Sequence, residues 1–218
     1  MPLKNFLLDC LFPKKCYGCG ASETWLCPKC FLILKKYQGE VPRALEDAGD
    51  LIMAGQYQDP ILRSLITAFK FASNRELSVP LFAFLKSALD NKIIISGLSR
   101  NHWQNIFIIP VPLHKSRQKW RGYNQSELIA REISNYYGWP LSLDLKKIKK
   151  TKIQAELNEE ARLNNQTGAF IWTGGNLAEH DVILVDDIIT SGATISEAAK
   201  TLTQAGAKRV IKVAVAKG

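Results

Sequence analysis

Asp181-Val-Ile-Leu-Val-Asp-Asp-Ile-Ile-Thr-Ser-Gly-Ala-Thr194 is the stretch on which the fold turns. Val182 to Val185 form an unbroken apolar run, the profile of a strand buried on both faces. Two carboxylates, Asp186 and Asp187, stand at its end, and Thr190 to Thr194 form a turn of small and hydroxyl residues. That turn opens Ala193 to Ala205, alanine-rich and apolar at helical spacing, with Gly206 placed to cap it. A further strand is expected over Arg209 to Val215. Strand, helix and strand at this spacing predict a parallel βαβ unit with a right-handed crossover. Ligands in such sheets bind beyond the carboxyl ends of the strands.

The residues at that end carry their own chemistry. A carboxylate accepts two hydrogen bonds, so the pair Asp186 and Asp187 suits the cis-diol of a ribose. Thr190, Ser191, Gly192, Ala193 and Thr194 suit a phosphate monoester: backbone N–H groups at a helix start, added hydroxyl donors and the helix dipole all favour an anion. Gly192 lets backbone approach the ligand closely. An acidic pair beside a phosphate cradle points to a ribose 5-phosphate. The chain has neither the G-x4-G-K-[ST] loop of a P-loop nucleotidase nor the G-x-G-x-x-G of a dinucleotide fold.

Working outward, Ile106 to Ile109 is a second buried strand stopped by Pro110 and Pro112, and Asn124 to Tyr137 is a helix ended by Gly138. Between them lies a basic loop. His114 and Lys115 follow the strand's carboxyl end, where a lysine can neutralise phosphate. Arg117, Lys119 and Arg121 then alternate with polar residues and Trp120, with Gly122 permitting a bend. This loop either closes over a ligand, or grips a nucleic-acid backbone with Trp120 or Tyr123 stacking on a base, or is a solvated basic surface. Lysines 146, 147, 149, 150 and 152 make a second basic stretch, only part of which can face a pocket. Leu51 to Leu89 is expected to supply one strand, packing helices and part of a hood over the site. His102 and His180 are isolated and are expected to be surface or core residues.

All five cysteines lie within the first thirty residues. Cys16, Cys19, Cys27 and Cys30 read C-x2-C-x7-C-x2-C, two knuckles that converge four thiolates on one tetrahedral site, as structural zinc requires. Disulfides and free thiols are the competing assignments; nothing here indicates export to an oxidising compartment. Upstream, Leu3, Leu7, Cys10 and Leu11 share one helical stripe, and the stretch lacks the features of a signal peptide. The domain plan is therefore residues 1–40 as an amino-terminal helix with a four-cysteine zinc module, and residues 41–218 as an α/β domain. No run of 18 apolar residues exists across the 218, so no membrane span is expected and a cytoplasmic location follows by default. Net charge is +9 with a pI near 9.3, which favours polyanionic partners: a pyrophosphate-bearing ligand, a nucleic acid or both.

Val185 to Thr194 resembles the loop that binds 5-phosphoribosyl-1-pyrophosphate (PRPP) in type I phosphoribosyltransferases, with Ser191 where many members carry threonine. Pro110 to Ser116, the following Arg117 to Ser126, Thr151 to Gln154, Arg162 with Asn165, Gly168 to Phe170 and Phe12 to Gly20 are together similar to the competence protein F (ComF) family. The resemblance implies a type I phosphoribosyltransferase fold, a central mainly parallel sheet flanked by helices, with a small zinc module in front. It implies displacement of pyrophosphate from C1 of PRPP through an oxocarbenium-like transition state, with Mg²⁺ bridging pyrophosphate and ribose oxygens. Asp186 and Asp187 would be the catalytic pair that holds the ribose, Thr190 to Thr194 would hold the 5-phosphate, and His114 and Lys115 would contact the pyrophosphate. Family membership further implies a link to single-stranded DNA and the DNA-uptake machinery in natural transformation; the alternative is an active transferase on an acceptor that the sequence does not name.

Overall fold

The computed structural model describes residues 13–36, 50–72, 74–95, 105–150 and 166–218. The amino-terminal helical stripe with Cys10, His102, Thr151 to Gln154, Arg162 and Asn165 lie outside the described residues. After the cysteine knuckle comes helix α1 (Pro28–Lys36). Strand β1 (Leu51–Gln56) then leads to helix α2 (Pro60–Phe71). Asp59 starts α2 by accepting from the Ile61 and Leu62 N–H groups, both at 2.9 Å, with Pro60 at the first helical position, where its missing N–H costs nothing. A short 3-10 turn (Arg75–Leu77) joins it to helix α3 (Ser78–Ile95). Leu51 to Leu89 thus supplies the expected strand and packing helices.

Strand β2 (Ile106–Pro110), helix α4 (Lys115–Arg121) and helix α5 (Gln125–Tyr137) follow. Strands β3 (Leu145–Lys147) and β4 (Phe170–Trp172) form an antiparallel ribbon. The chain closes with β5 (Asp181–Ile189), α6 (Ala193–Gln204) and β6 (Arg209–Lys217). The main sheet runs β1-β6-β5-β2, with every pair parallel. Crossovers through helices are what allow parallel neighbours, and they cover both faces of the sheet.

The apolar run of β5 is continuous because each face has its own core. Ile183 and Val185 join Ile211, Val213 and Val215 of β6 beneath α2, α3 and α5. Val182 and Leu184 join Ala214 in a second cluster with Ile195, Ala198 and Leu202 of α6 and with Leu145 and Phe170 of the ribbon. Alternate residues of one strand therefore feed opposite cores.

Two features differ from expectation. The strand expected to end at Val185 continues through both aspartates to Ile189, and β6 runs with it to Lys217. Paired backbone extends it where the side-chain pattern ceases to be purely apolar. The basic loop after Pro112 is a helix, α4, capped by His114, whose ring accepts from the Ser116 N–H, and by Gly122 at φ +79°. None of its residues is buried, so it has no apolar periodicity for sequence analysis to detect.

Candidate functional site

Parallel strands place the ends of β2 and β5 on one side of the sheet, and a cavity of about 710 Å³ opens there. Its floor is the acidic pair. Asp186 Oδ1 accepts from Ser126 Oγ at 2.8 Å and from the Asp187 backbone N–H at 2.9 Å. Asp187 Oδ1 accepts from the Ile188 N–H at 2.8 Å, while Oδ2 lies 3.1 Å from the Lys70 ammonium. Burial, and then the neighbouring charge of Asp187, push the Asp186 carboxyl up to about 7; Ser126 and Lys70 act against the shift.

Beyond the pair, the chain turns through Thr190 to Gly192, which takes φ +78° and starts α6. Glycine is needed there because a side chain is strained in that conformation. A small recess of about 40 Å³ is lined by Asp186, Thr190, Gly192 and Thr194, and it adjoins the larger cavity through Asp186, Thr190 and Thr194. Ser191 Oγ accepts from the Ala193 N–H at 3.4 Å, and the Lys217 ammonium donates to the Thr190 carbonyl.

The opposite wall is cationic. Arg117 and Arg121, four residues apart and so on one face of α4, line the cavity with Lys70 of α2 and Lys147 of β3. Burial and the charge of Arg117 hold the Lys147 ammonium down to about 8; its Nζ donates to Gln166 Oε1 at 3.0 Å. The rim carries two exposed rings, Phe71 and Trp120, edge to face with centroids 6.4 Å apart, and Arg121 sits 5.6 Å from the Phe71 ring.

The structure thus brings Asp186, Asp187, Thr190, Thr194, Arg117 and Arg121 to one cavity. Gly192 lines the recess, with Ser191 and Ala193 in the same turn. His114 and Lys115 line an adjoining cavity of about 760 Å³ past Pro112 and Leu113, and exposed Lys119 borders neither. Of the second lysine stretch, Lys147 alone of its described members borders the acidic pair's cavity. Tyr123 is not available for stacking: it is buried, and its hydroxyl donates to the Phe69 carbonyl. His180 lies half-buried against the Phe107 ring. Lys70 and Gln166 carry no signal in the sequence, and Ser126 enters it only within the family resemblance, with no role attached; Lys70 and Ser126 sit on α2 and α5, whose own patterns mark what those helices bury.

Four Sγ atoms, of Cys16, Cys19, Cys27 and Cys30, lie within 4.8 Å of one another. Four thiolates at zinc's bond length form a tetrahedron with edges of about 3.8 Å, and Cys19 and Cys27 are 3.6 Å apart. Gly18 makes room, since a Cβ there would stand 2.7 Å from Cys30 Sγ. Burial raises the Cys16 thiol, but backbone N–H groups of Cys27, Cys19 and Gly18 outweigh it and hold the thiol at about 6. Burial and the neighbouring thiols push Cys30 up to about 12. The cluster is positioned to hold a metal ion, and four thiolates are a zinc donor set. The knuckle is joined to the body through Glu76, which pairs with Lys14 at 2.6 Å and accepts from Trp25 Nε1 at 2.8 Å.

Fold and site together define a phosphoribosyltransferase-type domain, and residues 86–218 match the phosphoribosyl transferase domain family. Competence protein F of Haemophilus influenzae is 30% identical over 201 residues, covering 89% of this chain and 81% of that protein. DNA utilization protein YhgH of Escherichia coli is 27% identical over 204 residues, covering 89% and 85%. Competence protein ComFC of Streptococcus pneumoniae is 31% identical over 121 residues, covering 55% and 52%. The chain belongs to the competence protein F family of phosphoribosyltransferase-domain proteins. Among the described residues no helix is long and apolar enough to cross a membrane.

Two predictions follow from this geometry. Metal analysis of protein purified without chelator should return about one zinc per chain, and Cys27→Ser should abolish it; four titratable thiols and no metal would refute the assignment. Separately, Asp186 has a higher pKa in the folded chain than its ordinary 3.8. Its stabilising contribution is therefore complete below about 4 and lost as pH rises through about 7. Urea titrations should show Asp186→Asn gaining stability over the wild type across that window. Parallel pH profiles for the two proteins would mean that the carboxyl is not perturbed.

Proposed function

We propose that this chain binds PRPP in the cavity over Asp186 and Asp187. The observation that carries this reading is the pairing of two carboxylates with a glycine-started helix on one side and a cationic wall on the other. The carboxylates accept hydrogen bonds from the ribose 2- and 3-hydroxyls. Thr190 to Thr194 hold the 5-phosphate at the start of α6. Arg117, Arg121 and Lys147 face the pyrophosphate, and Lys115 serves it from the adjoining cavity. Mg²⁺ carried by the pyrophosphate would supply further charge neutralisation beside the acidic pair.

In a transfer reaction the C1–O bond breaks, its electron pair leaves with pyrophosphate, and an acceptor's lone pair closes on C1. The ionised carboxylates would stabilise the positive charge that builds on the ribose between these events. The names of the relatives, competence protein and DNA utilization protein, support a role in handling DNA; we propose that it is exercised in the cytoplasm beside the uptake machinery. An active transferase on an acceptor yet to be identified is the alternative.

One observation favours direct contact with single-stranded DNA. Trp120 is 72% exposed beside exposed Phe71, with Arg121 close by: two ring faces and a cation at the mouth of the pocket. Bases stack on such platforms without regard to sequence, and cations beside them follow the backbone.

PRPP with Mg²⁺ at a hundredfold its dissociation constant should stabilise the protein by about 2.7 kcal/mol, read as a thermal shift. Asp186→Asn combined with Asp187→Asn should remove the shift while the protein stays folded; normal PRPP binding by that variant would defeat the ribose assignment. For DNA, Trp120→Ala should weaken binding of a single-stranded oligonucleotide by about 1–3 kcal/mol. Arg117→Ala with Lys119→Ala should flatten the dependence on log salt by about one unit per lost phosphate contact. No DNA affinity at low salt in fluorescence anisotropy would leave the transferase alternative standing alone.

A further inference from the structure

Lys70 is the penultimate residue of α2, and its side chain is only 17% exposed. Lysine is rarely withdrawn from water without a partner, and here the partner is Asp187, whose side chain is 12% exposed. The contact is electrostatic and not directional: the two atoms are 3.1 Å apart, yet Asp187 Oδ2 accepts no hydrogen bond. An ammonium carries three donors, so this one keeps donors to offer to the cavity that both residues line.

Its position is set by neighbours that take no part in the pocket. Phe69 is wholly buried, and its carbonyl accepts from the Tyr123 hydroxyl and from Gln125 Nε2 at 3.4 Å. The end of α2 is thereby tied to the start of α5, whose Ser126 in turn holds Asp186. Lys70 and both aspartates thus share one frame.

PRPP presents its diol and its pyrophosphate on neighbouring carbons, with the 2-hydroxyl and the C1 oxygen on the same face of the ring. A cation beside a carboxylate that takes the diol, in the cavity that Arg117, Arg121 and Lys147 also line, is therefore within reach of the leaving group. Resting on the reading that this pocket takes PRPP, we propose that Lys70 is a substrate-contacting residue that bridges Asp187 and the pyrophosphate of PRPP. It makes and breaks no covalent bond. It neutralises the carboxylate and the leaving group at the point where both meet the ribose.

A lysine that only balances Asp187 would behave differently, and ribose 5-phosphate, which has the diol and the 5-phosphate without the pyrophosphate, separates the two roles. In calorimetric titrations with Mg²⁺, Lys70→Met should lose about 10- to 100-fold in PRPP affinity, the range for one hydrogen bond to a charged group, while ribose 5-phosphate stays within about twofold. Lys70→Arg keeps the charge and should recover most of the PRPP affinity, and it remains informative if the methionine variant folds poorly. Equal weakening for both ligands, or unchanged PRPP affinity, would overturn the bridging role. Wild-type protein that binds neither ligand would instead remove the PRPP reading on which the bridge rests.

Discussion

Two adjacent carboxylates at the end of a central strand are costly to keep, because each opposes ionisation of the other and burial opposes both. The surroundings of Asp186 and Asp187 answer this cost group by group. Ser126 and a backbone N–H hold Asp186, another N–H holds Asp187, and Lys70 supplies the nearest positive charge. The compensation is incomplete: burial and the charge of Asp187 still hold the Asp186 carboxyl well above the usual carboxylate range. A carboxylate left under-satisfied by its own protein is one with capacity for a ligand's hydroxyls.

Meeting that demand explains why the elements around the pair come from across the chain. Helix α2 brings Lys70, α4 brings two arginines, α5 brings Ser126 and β3 brings Lys147. Their relative placement depends on the turn at Arg75–Leu77, which works in two directions. Arg75 donates to the Gly122 carbonyl at 3.1 Å, where α4 ends, and lies over the Tyr123 ring. Its neighbour Glu76 takes Lys14 and Trp25 from the cysteine knuckle. The cysteine knuckle and the arginine helix are thus fastened to consecutive residues.

What could be seen in the sequence was whatever a local pattern records. The run from Val182 to Val185 betrays its double burial, Gly192 betrays the turn before α6, and the paired C-x2-C knuckles announce a shared ligand point. Helix α4 escaped because none of its seven residues is an apolar side chain buried in the core, so no apolar spacing marks them. Lys70 escaped for the opposite reason: α2 is recognised by the residues it buries, such as Leu62, Leu65, Ile66 and Phe69, and that stripe says nothing about a lysine beside it. Tyr123 and Trp120 stand three residues apart and look alike on paper, yet one is buried against α2 and the other projects from the rim. Only tertiary packing distinguishes them.

Leu34 gives the cysteine module a weight beyond its size. It sits on α1, is wholly buried, and belongs to the same apolar cluster as Leu62, Phe84 and Ile183. The knuckle is accordingly a wedge driven into the body and not a bead threaded before it. A truncated chain beginning after residue 40, the natural choice for isolating the phosphoribosyltransferase-type domain, would lack a piece of that domain's interior. The boundary visible in the order of residues is not a boundary in the packing.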